Sequence, residues 1–202
     1  MHIQRVVFGA VLVVVAGSVA RAEAPAGQAK KAKVAELQAL AAAMGKYAAV
    51  GDEHKRLKAF EGTWNTEATV YLPSGEAVPG VKGTTEFFFI MNGLFLVEEL
   101  NGSWNGQPVS SHIVFGYDHA KKKYVWLFLS SMRSELNVKE GSADAAGKVF
   151  TLEGESFEPV SGTRGPEKVV YRIESDRRFV IEASRPRGGK DVKTMTVVFT
   201  RR

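Results

Sequence analysis

The sequence has no cysteine. That excludes disulfide staples, thiolate-held metal, a cysteine nucleophile and a lipid-anchored N-terminus, which needs a cysteine to carry its lipid. Long apolar runs are also scarce. Beyond residues 6–20, no segment approaches the ~20 apolar residues that a membrane-spanning helix requires. Charge is not concentrated: the longest lysine run is Lys121-Lys122-Lys123, at an expected turn, and no basic stripe is interleaved with aromatics, so no nucleic-acid partner is expected. A Gly-x-Ser-x-Gly elbow, a phosphate-cradling glycine loop, a dinucleotide fingerprint and closely spaced histidine pairs are all missing. The expectation is therefore no cofactor, no metal site and no catalytic residue recognisable by motif.

What is present begins with a leader. Arg5 precedes an apolar stretch from Val6 to Ala20, broken by Gly9, Gly17 and Ser18, and Ala20-Arg21-Ala22 follows with small residues around one arginine. Basic start, short apolar stretch and small-x-small site form the signal-peptide pattern, so residues 1–22 are expected to be removed and the mature chain to begin near Glu23, with cleavage after Ala20 or Ala24 as the alternatives. The expected location is the periplasm or the extracellular space, soluble and without a stable membrane anchor. Loss of Arg5 and Arg21 takes the formal charge from +5 to +3, and the 180 residues that remain suit one domain with a sizeable core.

Residues 23–61 read as an alanine-rich helical lead-in. Val34, Leu37, Ala41, Met44 and Ala48 recur every three or four residues and make a narrow stripe on a helix. A second short helix is expected from Asp52 to Phe60, with Asp52 as its N-cap. From residue 62 the pattern changes to short runs separated by turn residues. Ten strands are expected. Five are Trp64 to Leu72, Val81 to Ile90, Leu94 to Ser103, Val109 to Tyr117 and Tyr124 to Ser131. The others are Glu135 to Glu140, Lys148 to Glu155, Lys168 to Ser175, Phe179 to Arg185 and Lys193 to Arg201. Asn92-Gly93, Asn105-Gly106 and Gly188-Gly189 mark hairpin turns. No helix-length segment interrupts the series, so residues 62–202 are expected to form an all-β, antiparallel barrel or sandwich of about ten strands.

Several strands alternate in polarity. Val169, Tyr171 and Ile173 share a face, as do Phe179, Ile181 and Ala183, and Met195, Val197 and Phe199. The middle strands do not alternate: Glu86 to Ile90 and Tyr124 to Leu129 are apolar on both faces, so either a helix covers the outside or part of their surface lines a hole or an interface.

Certain short motifs carry a resemblance. Gly62-Thr63-Trp64 after a short helix resembles the entry to a lipocalin-type barrel, in which the Trp packs at the closed base beneath an Arg of the last strand. Arg201, following Phe199 on the inward face, stands where that Arg is needed, so Trp64 and Arg201 are expected to close the barrel. A closer resemblance is to the uncharacterised exported bacterial proteins grouped as domain of unknown function 1579. The matching pieces are Glu53-His54-Lys55 with Leu57, Asn92-Gly93-Leu94-Phe95-Leu96, Gly116-Tyr117-Asp118, Ser131-Met132, Glu140-Gly141 before Asp144, and the closing Phe199-Thr200-Arg201. Ser130 departs from the pattern, which carries an Asp there. The resemblance implies a lipocalin-like (calycin-like) barrel and no assigned reaction.

The candidate cavity residues are Phe87, Phe89, Glu98, His112, Phe115, Tyr117, Trp126 and Phe128. Among the strand carboxylates Glu86, Glu98, Glu99 and Glu153, alternation sends most to solvent, but consecutive strand residues point opposite ways, so one of Glu98 and Glu99 faces inward. His54 is expected to cap or pack at the barrel base and His119 to be solvated. Three readings follow. The first is a binding module for a small apolar molecule. The second is a structural or dimerising protein that uses the two-sided strands to form a homodimer. The third is an enzyme that pairs Glu98 or Glu99 with His112, the reading with least in its favour.

Overall fold

The computed structural model describes residues 26–159 and 161–202; the expected leader 1–22 and its cleavage site lie outside them. The chain divides after Ala42 into two compact units. The helix α1 spans Ala26–Tyr47. The second unit contains a short helix α2 (Asp52–Arg56), a 3-10 turn over Leu57–Phe60, and ten strands.

Helix α2 is capped differently from expectation. Gly51, in an extended conformation, occupies the N-cap position and Asp52 is the first helical residue. The cap comes from within the helix: the backbone N–H of Gly51 donates to the Nδ1 of His54 at 3.1 Å. His54 is buried, and burial, with the neighbouring His119 adding to it, holds its ring below the usual histidine range.

The first five strands are β1 (Gly62–Tyr71), β2 (Ala77–Ile90), β3 (Phe95–Trp104), β4 (Gln107–Asp118) and β5 (Lys123–Ser130). The last five are β6 (Arg133–Ala143), β7 (Val149–Glu158), β8 (Thr163–Ser175), β9 (Arg178–Arg187) and β10 (Lys190–Arg201). Each pairs antiparallel with its chain neighbours, and β1 pairs with β10, so the sheet is a closed barrel. Strands β2 and β8 start earlier than expected, and Pro79 and Pro166 lie near those starts in the ladders to β1 and β7. Proline lacks a ladder donor but is accepted where the sheet is irregular or ends. A bulge between Glu67 and Thr69 provides that irregularity opposite Pro79.

Closure is anchored at one point. Trp64 of β1 and Arg201 of β10 are direct partners across the seam. The guanidinium lies 4.2 Å from the centre of the indole ring. It also donates to the carbonyls of Glu61 (2.9 Å), Ala59 (3.3 Å) and Asp176 (2.8 Å), and the indole N–H donates to the Phe60 carbonyl at 2.7 Å. Gly62 has φ +119° and its missing Cβ would sit 2.7 Å from the Arg201 Nη1, so only glycine fits there. Behind this contact the base is solid. Leu57 and Phe60 enter from the 3-10 turn and are fully buried against Phe87, Phe150, Tyr171 and Phe179. Phe179 and Phe199 stack with ring centres 4.3 Å apart.

Strands β6 and β7 pair only from Lys139–Gly154 to Ala143–Phe150. Towards the far end, Arg133 to Val138 have no ladder partner on β7, whereas β7 stays paired to β8 as far as Glu158–Thr163. The wall parts there. The side chain of Glu135 bridges the gap, accepting from the Ser156 hydroxyl at 3.2 Å and from the Phe157 N–H at 3.0 Å.

Trp64→Ala should cost about 3–5 kcal/mol of stability, the usual loss for truncating a large buried aromatic, measured by urea unfolding. A wild-type midpoint would show that Trp64 does not anchor the closure.

Candidate ligand-binding site

The closed barrel sorts the candidate residues by depth and by face. Phe87 and Phe115 belong to the packed base. Phe89 and Tyr117 are half-buried at its edge, and Tyr117 meets His54 and His119 edge-on. His119 is partly exposed, and its Nε2 is 2.8 Å from the Ala49 carbonyl. Higher on β5, Trp126 and Phe128 stack with their centres 5.7 Å apart.

Glu98 and His112 lie on opposite faces. In the β3–β4 ladder Glu98 pairs with Ile113, whereas Glu99 pairs with His112. Glu98 and Ile113 are buried inside. Glu99 and His112 are outside, half-exposed, 3.9 Å apart. The inclusion of His112 in the cavity is therefore corrected: strand alternation turns it away from the interior, onto the face opposite Glu98.

Glu98 is 3 % exposed and its Oε2 has no hydrogen-bond partner among the described residues. Its neighbours in the ladders are Phe87 and Ile113. Burial in that apolar setting pushes the carboxyl up to about 8, so the neutral acid is its resting form at neutral pH. Tyr171 on β8 is electrostatically coupled to it. The Tyr171 hydroxyl oxygen accepts the Trp126 indole N–H at 2.7 Å, and burial, with the Glu98 charge next, raises its pKa well above the ordinary value.

Towards the parted end of β6 and β7 stands a polar cluster that sequence analysis missed. Lys139 on β6 has a fully buried side chain; its ammonium is 2.8 Å from Glu167, donates to the Asn137 side chain at 2.5 Å, and lies 5.2 Å from the Trp126 ring centre. Arg185 on β9 reaches the other Glu167 oxygen at 3.2 Å and donates to the carbonyls of Ser156 and Phe157. Burial opposes ionisation of Glu167, but Lys139 and Arg185 outweigh it and hold the carboxyl below its usual range. Two cations thus share one carboxylate inside the wall. Glu135, likewise, sits between Arg133 and Arg164. A groove of about 350 Å³ at the rim, lined in part by Glu158, Thr163 and Pro186, reaches Arg185.

A signal for part of this cluster exists in the sequence. One further alternating step from Val169 leads to Glu167, and one from Ala183 leads to Arg185. Lys139 was hidden because β6 carries its apolar residues outward: Leu136 and Val138 are exposed while Asn137 and Lys139 are buried. Alternation separates the faces of a strand; it does not say which faces in.

The family model described as a protein of unknown function, DUF1579, matches residues 49–201. The chain belongs to that family. As a DUF1579 protein it has the closed ten-strand barrel described above. No curated protein matches it. Among solved structures it is similar to a redesigned beta barrel, at 15% identity and a TM-score of 0.37, over 73% of this chain and 95% of that one.

Glu167→Gln should destabilise by about 3–5 kcal/mol, because it leaves two buried cations without a carboxylate. Lys139→Met should cost much less, since Glu167 keeps Arg185. Urea unfolding of both variants checks the order; the reverse order would show that Lys139 is the charge holding the cluster together.

Proposed function

We propose that this DUF1579 protein is exported and binds a small, largely apolar molecule in the open half of its barrel, above the packed base. The observation that carries this is the state of three inward-facing apolar side chains. Ala68, Phe128 and Met195 remain only partly buried although they pack against the core. Apolar wall left partly exposed in this way is surface that a bound apolar molecule would cover, in contrast to Phe150 and Leu152, which are at 0% exposure. Apolar walls with a few polar groups at the end are the usual lining of a small-molecule site, and Glu98, Tyr171 and the Lys139–Arg185 cluster supply those groups. Titration of the purified protein with N-phenyl-1-naphthylamine should give saturable binding with a rise in probe emission. Phe128→Arg should weaken it roughly tenfold or more by placing a charge on the wall. Non-saturable, mutation-insensitive emission would sink the reading.

A second reading, a homodimer, is favoured by one specific feature. Phe88, Val97, Val114, Leu127 and Val138 are successive ladder partners across β2 to β6 and make an unbroken apolar stripe on the outside of the barrel. Val138 is 51% exposed. If the stripe joins two copies, sedimentation equilibrium should give twice the chain mass, and Val138→Glu should restore the monomer. A monomer at every concentration tested would remove this reading.

A further inference from the structure

We propose that Glu98 and Tyr171 together donate hydrogen bonds to one carbonyl oxygen of the small molecule held in the barrel. The proposal deepens the interior-binding reading and rests on it. Its first support is an inventory of donors. The Tyr171 oxygen is occupied as an acceptor by the Trp126 N–H, and Trp126 is the hydroxyl's only hydrogen-bond partner among the described residues. The Tyr171 proton is therefore free to donate. The Glu98 carboxyl makes no hydrogen bond or ion pair among the described residues, and its Oε2 is buried. Two inward O–H groups, one on β3 and one on β8, thus lack an acceptor among the described residues, and the ladder neighbours of Glu98, Phe87 and Ile113, are apolar. A buried donor without an acceptor is costly, and a ligand oxygen is what relieves both at once.

The second support is the charge around them. Facing Glu98 from β2 and β4 are Phe87 and Ile113, neither titratable; from β8 comes the Tyr171 hydroxyl. On β6 the charged group is Lys139, which Glu167 and Asn137 already hold. A cationic ligand would need an ionised Glu98. Burial opposes that ionisation, and the mouth above already carries two cations against the one Glu167 carboxylate. A neutral carboxyl beside a phenol is instead a donor pair suited to a ketone, aldehyde, ester or amide oxygen.

The probes are 2-acetylnaphthalene, its hydrocarbon match 2-ethylnaphthalene, and 2-naphthylmethylamine, titrated by quenching of tryptophan emission. The ketone should bind roughly tenfold tighter than the hydrocarbon, and its infrared carbonyl stretch should move to lower wavenumber on binding. Tyr171→Phe and Glu98→Leu should each abolish the preference while leaving hydrocarbon affinity, with thermal melts confirming that both fold. Ketone affinity should fall as pH rises through about 8, where Glu98 loses its proton. Glu98→Gln, which keeps an N–H donor but cannot titrate, should keep the preference and lose the pH dependence. Equal binding of ketone and hydrocarbon, an unshifted carbonyl stretch, or a preference for the amine would overturn the donor pair and leave interior binding standing. Binding of none of the three would overturn both.

Discussion

The structure depends on the meeting of the first and last strands. A ten-strand antiparallel sheet left open would expose the backbone groups of β1 and β10 along two edges; pairing those strands removes both edges at once. Trp64 and Arg201 sit at that seam, and their contact ties three things together: the ring, the indole that plugs it, and the 3-10 turn whose carbonyls the guanidinium caps. The 3-10 turn carries Leu57 and Phe60 into the base, so closing the seam also fills the bottom. Its side-chain hydrogen bonds run largely to backbone carbonyls, which any sequence supplies. The specificity therefore lies in the planar cation over the indole and in the glycine that makes room for it.

Once the ring is closed, every inward side chain must pack or find a partner. At the base the aromatics do so with one another. At the other end the interior accepts charge, and nearly all of it is matched: Lys139 and Arg185 converge on Glu167, and Glu135 spans the gap between β6 and β7. Against that background Glu98 stands apart. It is as buried as the core around it and has no described partner. Burial with no compensating interaction is the cause of its raised pKa, in contrast to Glu167, whose burial is offset by two cations. The contrast between these two glutamates is what the proposed interior site is built on.

Membership of DUF1579 assigns no reaction, so function has to be argued from the site itself. Separating Glu98 from His112 removes the geometric motive for an acid–base pair between them. What remains inside is hydrogen-bonding capacity and apolar wall, the two features on which the proposed binding of a small molecule rests. The outer stripe from Phe88 to Val138 is a separate surface, and its use as an interface is compatible with an occupied interior.

The ten antiparallel strands were legible in the sequence because period-two alternation and turn residues are local signals. Val169, Tyr171 and Ile173, or Met195, Val197 and Phe199, declare a face without knowledge of any neighbour, and the seam could be placed by counting strands to an even number. The inward turn of Glu98 was half-legible: two consecutive carboxylates in a strand point opposite ways, but which of them is buried depends on the register of β3 against β2 and β4. His112 was assigned to the wrong face for the same reason. Lys139 was illegible, because β6 exposes Leu136 and Val138 and buries Asn137 and Lys139, against their solubility. Only the tertiary structure provides the Glu167 carboxylate, brought from β8, that makes burying that lysine tolerable. Local pattern thus determined the strands, and the resemblance of Gly62-Thr63-Trp64 and Arg201 to a lipocalin-type entry pointed to the closure. Long-range register decided which charges were shut inside, because the cost of a buried charge is set by the partner that the rest of the fold places beside it.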